Sequence, residues 1–388
     1  MKKTFGFLLI GATLVFLSLP VLANRPYVGA DEALQDPCSA DAKAALYAEF
    51  YKAITAVPAD QAKAVELAKK YVACPNTSTE DAEVKKIEYL NNFITKFEKA
   101  QRKDHLAELI NKKDYPAAFE IGKQVFVDDP DYLQGYMALA LAGAISQNQV
   151  LANDTVTYAQ KAIQMIESGK TPDPKKPDSW TPFDNKDDAL AKLNYAIGSL
   201  KASTSPDAAI PYLIKAAGYN SKIKSTPLTY AYLAESYERG PYLKQSAEYK
   251  EKCVGKDETP ECKLLLENVN QLIDRIIDAY ARAVALAGTD PNKATWMEAL
   301  TGLYKFRHET SDAGLDKLIA DVLKTPLPPV PTPITTLPTP TPAAAGSPAT
   351  GSATPPTATG TPAKPTATPV KPPTTPGKPR TRKAHAGL

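Results

Sequence analysis

The chain has 388 residues, too many for one small core and enough for an extended array of helices. Its formal net charge is only +3, which excludes a global electrostatic bias toward nucleic acid or a membrane surface. The charge is unevenly placed: six basic residues and no acid follow Lys324, which leaves the middle of the chain acidic.

Met1 to Ala23 has a charged start (Lys2, Lys3), an apolar run from Phe5 to Leu19, and small residues ending at Ala23. That is the layout of a secretory signal peptide. The residue directly after the expected cleavage point is not a cysteine, and no later stretch is apolar enough to span a membrane. The expected location is therefore the periplasm or the exterior of a bacterial cell. In such a compartment four cysteines favour two disulfides, for which sequence alone permits three pairings. Cys38 stands just before one predicted helix and Cys74 just after the next, and those ends meet in an antiparallel hairpin. Cys253 and Cys262 bracket the short loop VGKDETPE and can close it.

The first predicted helix runs from Ala40 to Ala56, with Ser39 or Asp41 as its cap, and the return helix from Gln61 to Ala73, capped by Asp60. Thr79 to Asn111 keeps a helical apolar period, with a break expected near Gln101. Helices are expected from Pro116 to about Asp128, from Tyr132 to Ser146, and onward from Asp154 or Thr155. Four prolines between Gly169 and Asn185 forbid a helix there, and Trp180 and Phe183 are expected to dock that loop on the body. The next helix covers Asp187 to Ala202. Pro206 to Glu238 then holds two further helices, and Gly240-Pro241 is expected to turn the chain. Tyr242 to Cys253, Glu261 to Leu286, Asn292 to Arg307 and Asp312 to Leu323 complete the helical region, the last three as a terminal cap.

Two segments carry a finer pattern. In Pro206 to Glu238, Ala209, Leu213 and Ala216 follow an A-x3-L-x2-A spacing, and Tyr230, Leu233, Ala234 and Tyr237 an aromatic-x2-L-A-x2-Y spacing. In Asp114 to Pro130, Ala118, Gly122 and Val125 repeat the first of these. Offsets of three and four share one helix face, and the small residues let two helices approach closely. This resembles the tetratricopeptide repeat, with its W-x2-L-G-x2-Y and A-x3-F-x2-A elements. Gly143 departs from that pattern, which prefers an aromatic there. Ala64, Ala118, Thr155, Ala209 and Ser246 take the place of the recurring alanine.

The resemblance implies an all-α solenoid of antiparallel hairpins, wound as a right-handed superhelix, over residues 24–324. It further implies a concave groove that binds a protein or peptide. Aligned with the repeat, Lys103, Gln134, Met137, Leu141, Asn194 and Glu235 face that groove. A carboxylate clamp like that of some family members is doubtful, because Lys103 and Asn194 fall in separated hairpins; a mostly apolar or extended ligand is expected.

From Thr325 onward proline, threonine and alanine dominate, with eighteen of the chain's thirty-five prolines. Such a segment lacks the apolar surface to offset its ordering entropy, so 325–388 reads as an extended, disordered spacer. Its end carries the basic cluster Lys378, Arg380, Arg382 and Lys383, suited to an anionic envelope surface. His105, His308 and His385 show no ligand spacing, and no catalytic, phosphate-binding or metal motif is present. The sequence therefore points to a non-enzymatic interaction scaffold without a cofactor, or alternatively to an envelope tether that binds through its tail.

Overall fold

The computed structural model describes residues 36–76 and 78–336. The expected signal peptide and the basic cluster Lys378, Arg380, Arg382 and Lys383 lie outside the described residues. Among those residues the chain is all helical, without strands. No helix among them is long and apolar enough to cross a membrane. The contacts divide the chain into two compact units, with the boundary after Phe97.

In the first unit, α1 (Ala40–Thr55) and α2 (Gln61–Val72) form a hairpin, followed by the first half of α3 (Asp81–Asn111). Local chemistry sets the helix starts: the Ser39 side chain accepts from the Ala42 amide, and Asp60 accepts from the Lys63 amide. The small face of α2, Ala64 and Ala68, is fully buried and packs with Phe50, Tyr71, Leu90 and Ile94. Cys38 and Cys74 are bonded, with 5.3 Å between their Cα atoms, so the bridge closes the open end of the hairpin. α3 runs unbroken through Gln101, where a break was expected. No glycine or proline interrupts Asp81–Asn111, so nothing there opposes helix continuation.

The start of α3 is tied to the hairpin by charge. Glu83 accepts from Lys43 Nζ at 2.5 Å, from the Tyr71 hydroxyl at 2.8 Å and from Lys86 Nζ at 3.2 Å. These partners, Lys43 foremost and against the opposing effect of burial, bring the Glu83 carboxyl from its ordinary 4.5 down to about 2. In the unfolded chain the group titrates near its ordinary value. Its contribution to stability is thus complete above about pH 4.5 and is lost as the pH falls toward about 2. Thermal melts of the first unit are expected to drop across that window, and Glu83→Gln to flatten the dependence. A profile unchanged by the substitution would overturn this assignment.

The second unit continues with α4 (Tyr115–Asp128), α5 (Leu133–Ser146), α6 (Ala152–Glu167), α7 (Lys186–Thr204), α8 (Pro206–Gly218) and α9 (Pro227–Tyr237). Each of these helices packs on its successor, and α5 with α7 and α7 with α9 also pack directly. The close approaches use missing side chains. A Cβ on Gly198 of α7 would meet Leu213 Cγ of α8 at 2.6 Å. A Cβ on Gly143 of α5 would overlap the Thr155 hydroxyl of α6 and lie 2.9 Å from the Phe119 ring. Ala118, Thr155 and Ala209 are fully buried. Between α6 and α7 the proline-interrupted loop is pinned by Trp180 and Phe183, both buried in the core.

Gly240-Pro241 does not turn the chain. The helical path continues through one wide π turn, Glu238–Tyr242, into α10 (Leu243–Cys253). Proline lacks the amide hydrogen that a regular turn would use, and the wider turn accommodates it. Gly240 fits because a Cβ there would meet the Asp207 backbone nitrogen at 3.1 Å. Cys253 is bonded to Cys262 across the following loop. Then come α11 (Pro260–Leu286), α12 (Lys293–Arg307) and α13 (Leu315–Asp321). α11 packs against α9, α10, α12 and α13 and is the spine of this end of the unit.

The expected free tail does not begin at Thr325. Residues 325–336 lie along α11 as an extended strap. Arg282 donates to Pro326 O at 3.0 Å and Arg275 to Pro329 O at 2.9 Å. Asn268 donates to Ile334 O at 3.0 Å and accepts from the Ile334 amide at 2.7 Å. Composition forbids helix here, but it does not forbid docking, because side chains of α11 supply the hydrogen bonds that proline cannot make to its own chain.

Candidate peptide-binding surfaces

The six residues expected on one groove have different environments. Gln134 is exposed, and Leu141 and Glu235 are half-buried on α5 and α9. Lys103 is committed: its Nζ lies 2.6 Å from Asp129 Oδ2 and 4.2 Å from the centre of the Tyr132 ring. Its charge is thereby partly neutralised, which weakens it as an anchor for a carboxylate ligand.

Met137 and Asn194 are not groove residues. Met137 is fully buried in the core shared by α4 to α7. Asn194 is 1% exposed, and its Nδ2 donates to Leu190 O one turn back on α7. The reason is common to both. α5 is apolar nearly all round and α7 is buried on more than one side, since each packs on several neighbours. On such helices the spacing of residues gives no single outward face.

Partly open positions remain on both flanking helices: Gln134, Ala138 and Leu141 on α5 and Leu228, Tyr232 and Glu235 on α9. The rings of Tyr195 on α7 and Tyr232 have centroids 6.2 Å apart, which links α7 and α9. Burial pushes the Tyr195 hydroxyl well above its ordinary value, so it stays protonated and neutral.

A second feature was missed by the repeat pattern. A half-open pocket of about 440 Å³ lies between α8, the π turn, α10 and α11, and Val330, Pro331 and Pro333 of the strap line it on the other side. Ile210 and Leu272 give it apolar walls; Tyr237, Gln245 and Gln271 give it polar ones. The Tyr237 hydroxyl and Gln245 Oε1 are buried and have no hydrogen-bond partner among the described residues. Buried polar atoms are nearly always paired, so two orphans at one pocket call for an explanation. Burial pushes Tyr237 up to about 12. Burial also raises the carboxyl of Glu238 beside it, opposed by a hydrogen bond from the Tyr280 hydroxyl. The sequence signal for this surface was present: Asn268, Arg275 and Arg282 interrupt an apolar helix at intervals of seven, just upstream of a proline-rich stretch.

The first unit has an apolar hollow of about 600 Å³ beside the Cys38–Cys74 bridge, lined by Leu46 and Leu67 among others. No cluster of polar groups converges on it.

No family model, no curated protein and no solved structure matches this chain.

Proposed function

We propose that the chain is an exported, non-enzymatic scaffold whose helical hairpins present a groove to a protein or peptide, as its tetratricopeptide-like patterning implies. The observation that supports this reading is the packing order of α4 to α9. Each helix contacts the next, and α5, α7 and α9 contact one another in series. A superhelix of hairpins is built in this way, with its first helices side by side along one surface. The partly open positions on α5 and α9 combine apolar edges, Leu141, Leu228 and Tyr232, with the polar Gln134 and Glu235. An extended partner would bury the former while the latter set its register. Two disulfides suit a protein that works in an oxidising compartment.

The test places a photo-crosslinking residue in the full chain at Gln134, at Glu235, or at the exposed Thr157 of α6. In intact bacterial envelope, Gln134 and Glu235 are expected to give the same discrete protein adduct and Thr157 none. No adduct from the first two, or identical bands from all three, would sink the reading.

A further inference from the structure

Asn268, Arg275 and Arg282 form a ladder on α11, and each rung holds the main chain of the strap. Pro326 meets Arg282 and Ile334 meets Asn268, so the strap runs antiparallel to the helix. Seven helical residues advance roughly 10.5 Å. Three residues of a polyproline chain advance roughly 9.3 Å. From Arg282 to Arg275 the strap uses three residues, Pro326 to Pro329, and the two spacings agree to about an ångström.

From Arg275 to Asn268 it uses five, Pro329 to Ile334, or roughly 15.5 Å of chain over the same length of helix. The extra length has to be taken up as an arch between these two rungs, in the stretch where Val330, Pro331 and Pro333 line the pocket. On the covered side Leu327, Pro328, Pro331 and Ile334 are half-buried, the last three at intervals of three, while Pro329, Val330, Thr332 and Pro333 are exposed.

The rungs recognise backbone. All three take carbonyl oxygens, which a proline-rich chain cannot pair internally, and the single amide they use belongs to Ile334. Strap side chains add to this: Arg282 also donates to Thr325 Oγ1 at 3.4 Å, and Leu327 packs on the core. We propose that this face of α11 is a binding site for proline-rich peptides of the pattern Pro-x-x-Pro-x-x-apolar, the last residue supplying an amide hydrogen. Residues 325–336 occupy it in cis, two residues out of register. The pocket lined by Tyr237 and Gln245 lies at the stretch where the two spacings disagree. A peptide with three-residue spacing throughout lies flat along all three rungs and displaces the arch. This surface is separate from the groove proposed at Gln134 and Glu235, so either can bind without the other.

The tethered strap competes at an effective concentration of order millimolar, so the site is closed most of the time. Its affinity for a peptide in trans is reduced by the closed fraction. The test uses the full chain and two fluorescent peptides: residues 325–336, and the same sequence lacking Thr332 and Pro333, which restores the three-residue spacing. In an opened variant, Leu327→Asp with Ile334→Pro, peptide binding is expected to tighten about tenfold or more over the unaltered chain. The shortened peptide is expected to bind more tightly than the parent. Adding Asn268→Ala and Arg275→Ala to the opened variant is expected to abolish binding. Circular dichroism and tryptophan emission check that each variant is folded. An opened, folded variant that binds no better than the unaltered chain would overturn the proposal. So would binding indifferent to Asn268 and Arg275, or a shortened peptide that binds no better than its parent.

Discussion

Replacing Cys38 and Cys74 by serine is expected to cost the first unit about 4 kcal/mol. The bond joins residues 36 apart, and the entropy it removes from the unfolded chain grows with that separation. The Cys253–Cys262 bond spans only nine, for which the same relation gives about 2.6 kcal/mol. The first unit has little else to draw on. Its core is one cluster around Phe50, Tyr71, Leu90 and Ile94. Small cores of this kind depend on cross-links. The measurement separates the units without truncation, because both tryptophans, Trp180 and Trp296, lie beyond Phe97. In urea, the double serine variant should lose part of its helical circular dichroism early while tryptophan emission keeps its original midpoint. Coincident transitions at the original midpoint would contradict the assignment.

Gly143→Ala is expected to destabilise the second unit by roughly 3 kcal/mol, the upper end for overpacking. The added methyl group would overlap the Thr155 hydroxyl and press on the Phe119 ring. Neither can retreat easily: Phe119 is fully buried, and Thr155 Oγ1 donates to Leu151 O at 2.7 Å from a fully buried position. The prediction has an internal control. Thr155→Ala alone should cost about 1 kcal/mol for the lost hydrogen bond. In the double variant the loss of the hydroxyl should relieve part of the overlap, while the Thr155 Cβ and Phe119 contacts at 2.9 Å remain, giving a coupling of at least about 1 kcal/mol. Urea midpoints by tryptophan emission give the cycle, and simple additivity would refute the contact.

The parts that were legible in the sequence were those set by local chemistry. Ser39 and Asp60 cap helices because a short side-chain oxygen reaches a bare amide, whatever surrounds it. The Cys38–Cys74 pair followed from where a hairpin brings its ends, and Cys253–Cys262 from the short loop they bracket. Trp180 and Phe183 docked their loop because large apolar groups do not stay in water when a core is adjacent. What was not legible depends on the number of neighbours. Met137 and Asn194 sit on helices packed on several sides, where periodicity cannot tell a groove from a core. Gly143, out of place in the repeat pattern, is explained only by Thr155 across the helix contact. The strap was misplaced because composition reports what a segment cannot do alone. Its hydrogen-bond partners lie 43 to 66 residues away on α11.

α7 contributes Leu190, Leu193 and Ile197 to the core shared with α4 to α6, and Ala191, Tyr195 and Ala202 to the core that reaches α11 and α12. An array of hairpins ordinarily frays from its ends, since each repeat leans only on its neighbours. Here the middle helix is common property: dissolving either core strips one flank of α7 and leaves apolar side chains facing water. The second unit should therefore unravel as one cooperative block, in which local openings stop at α7 and protection against hydrogen exchange is deepest along it.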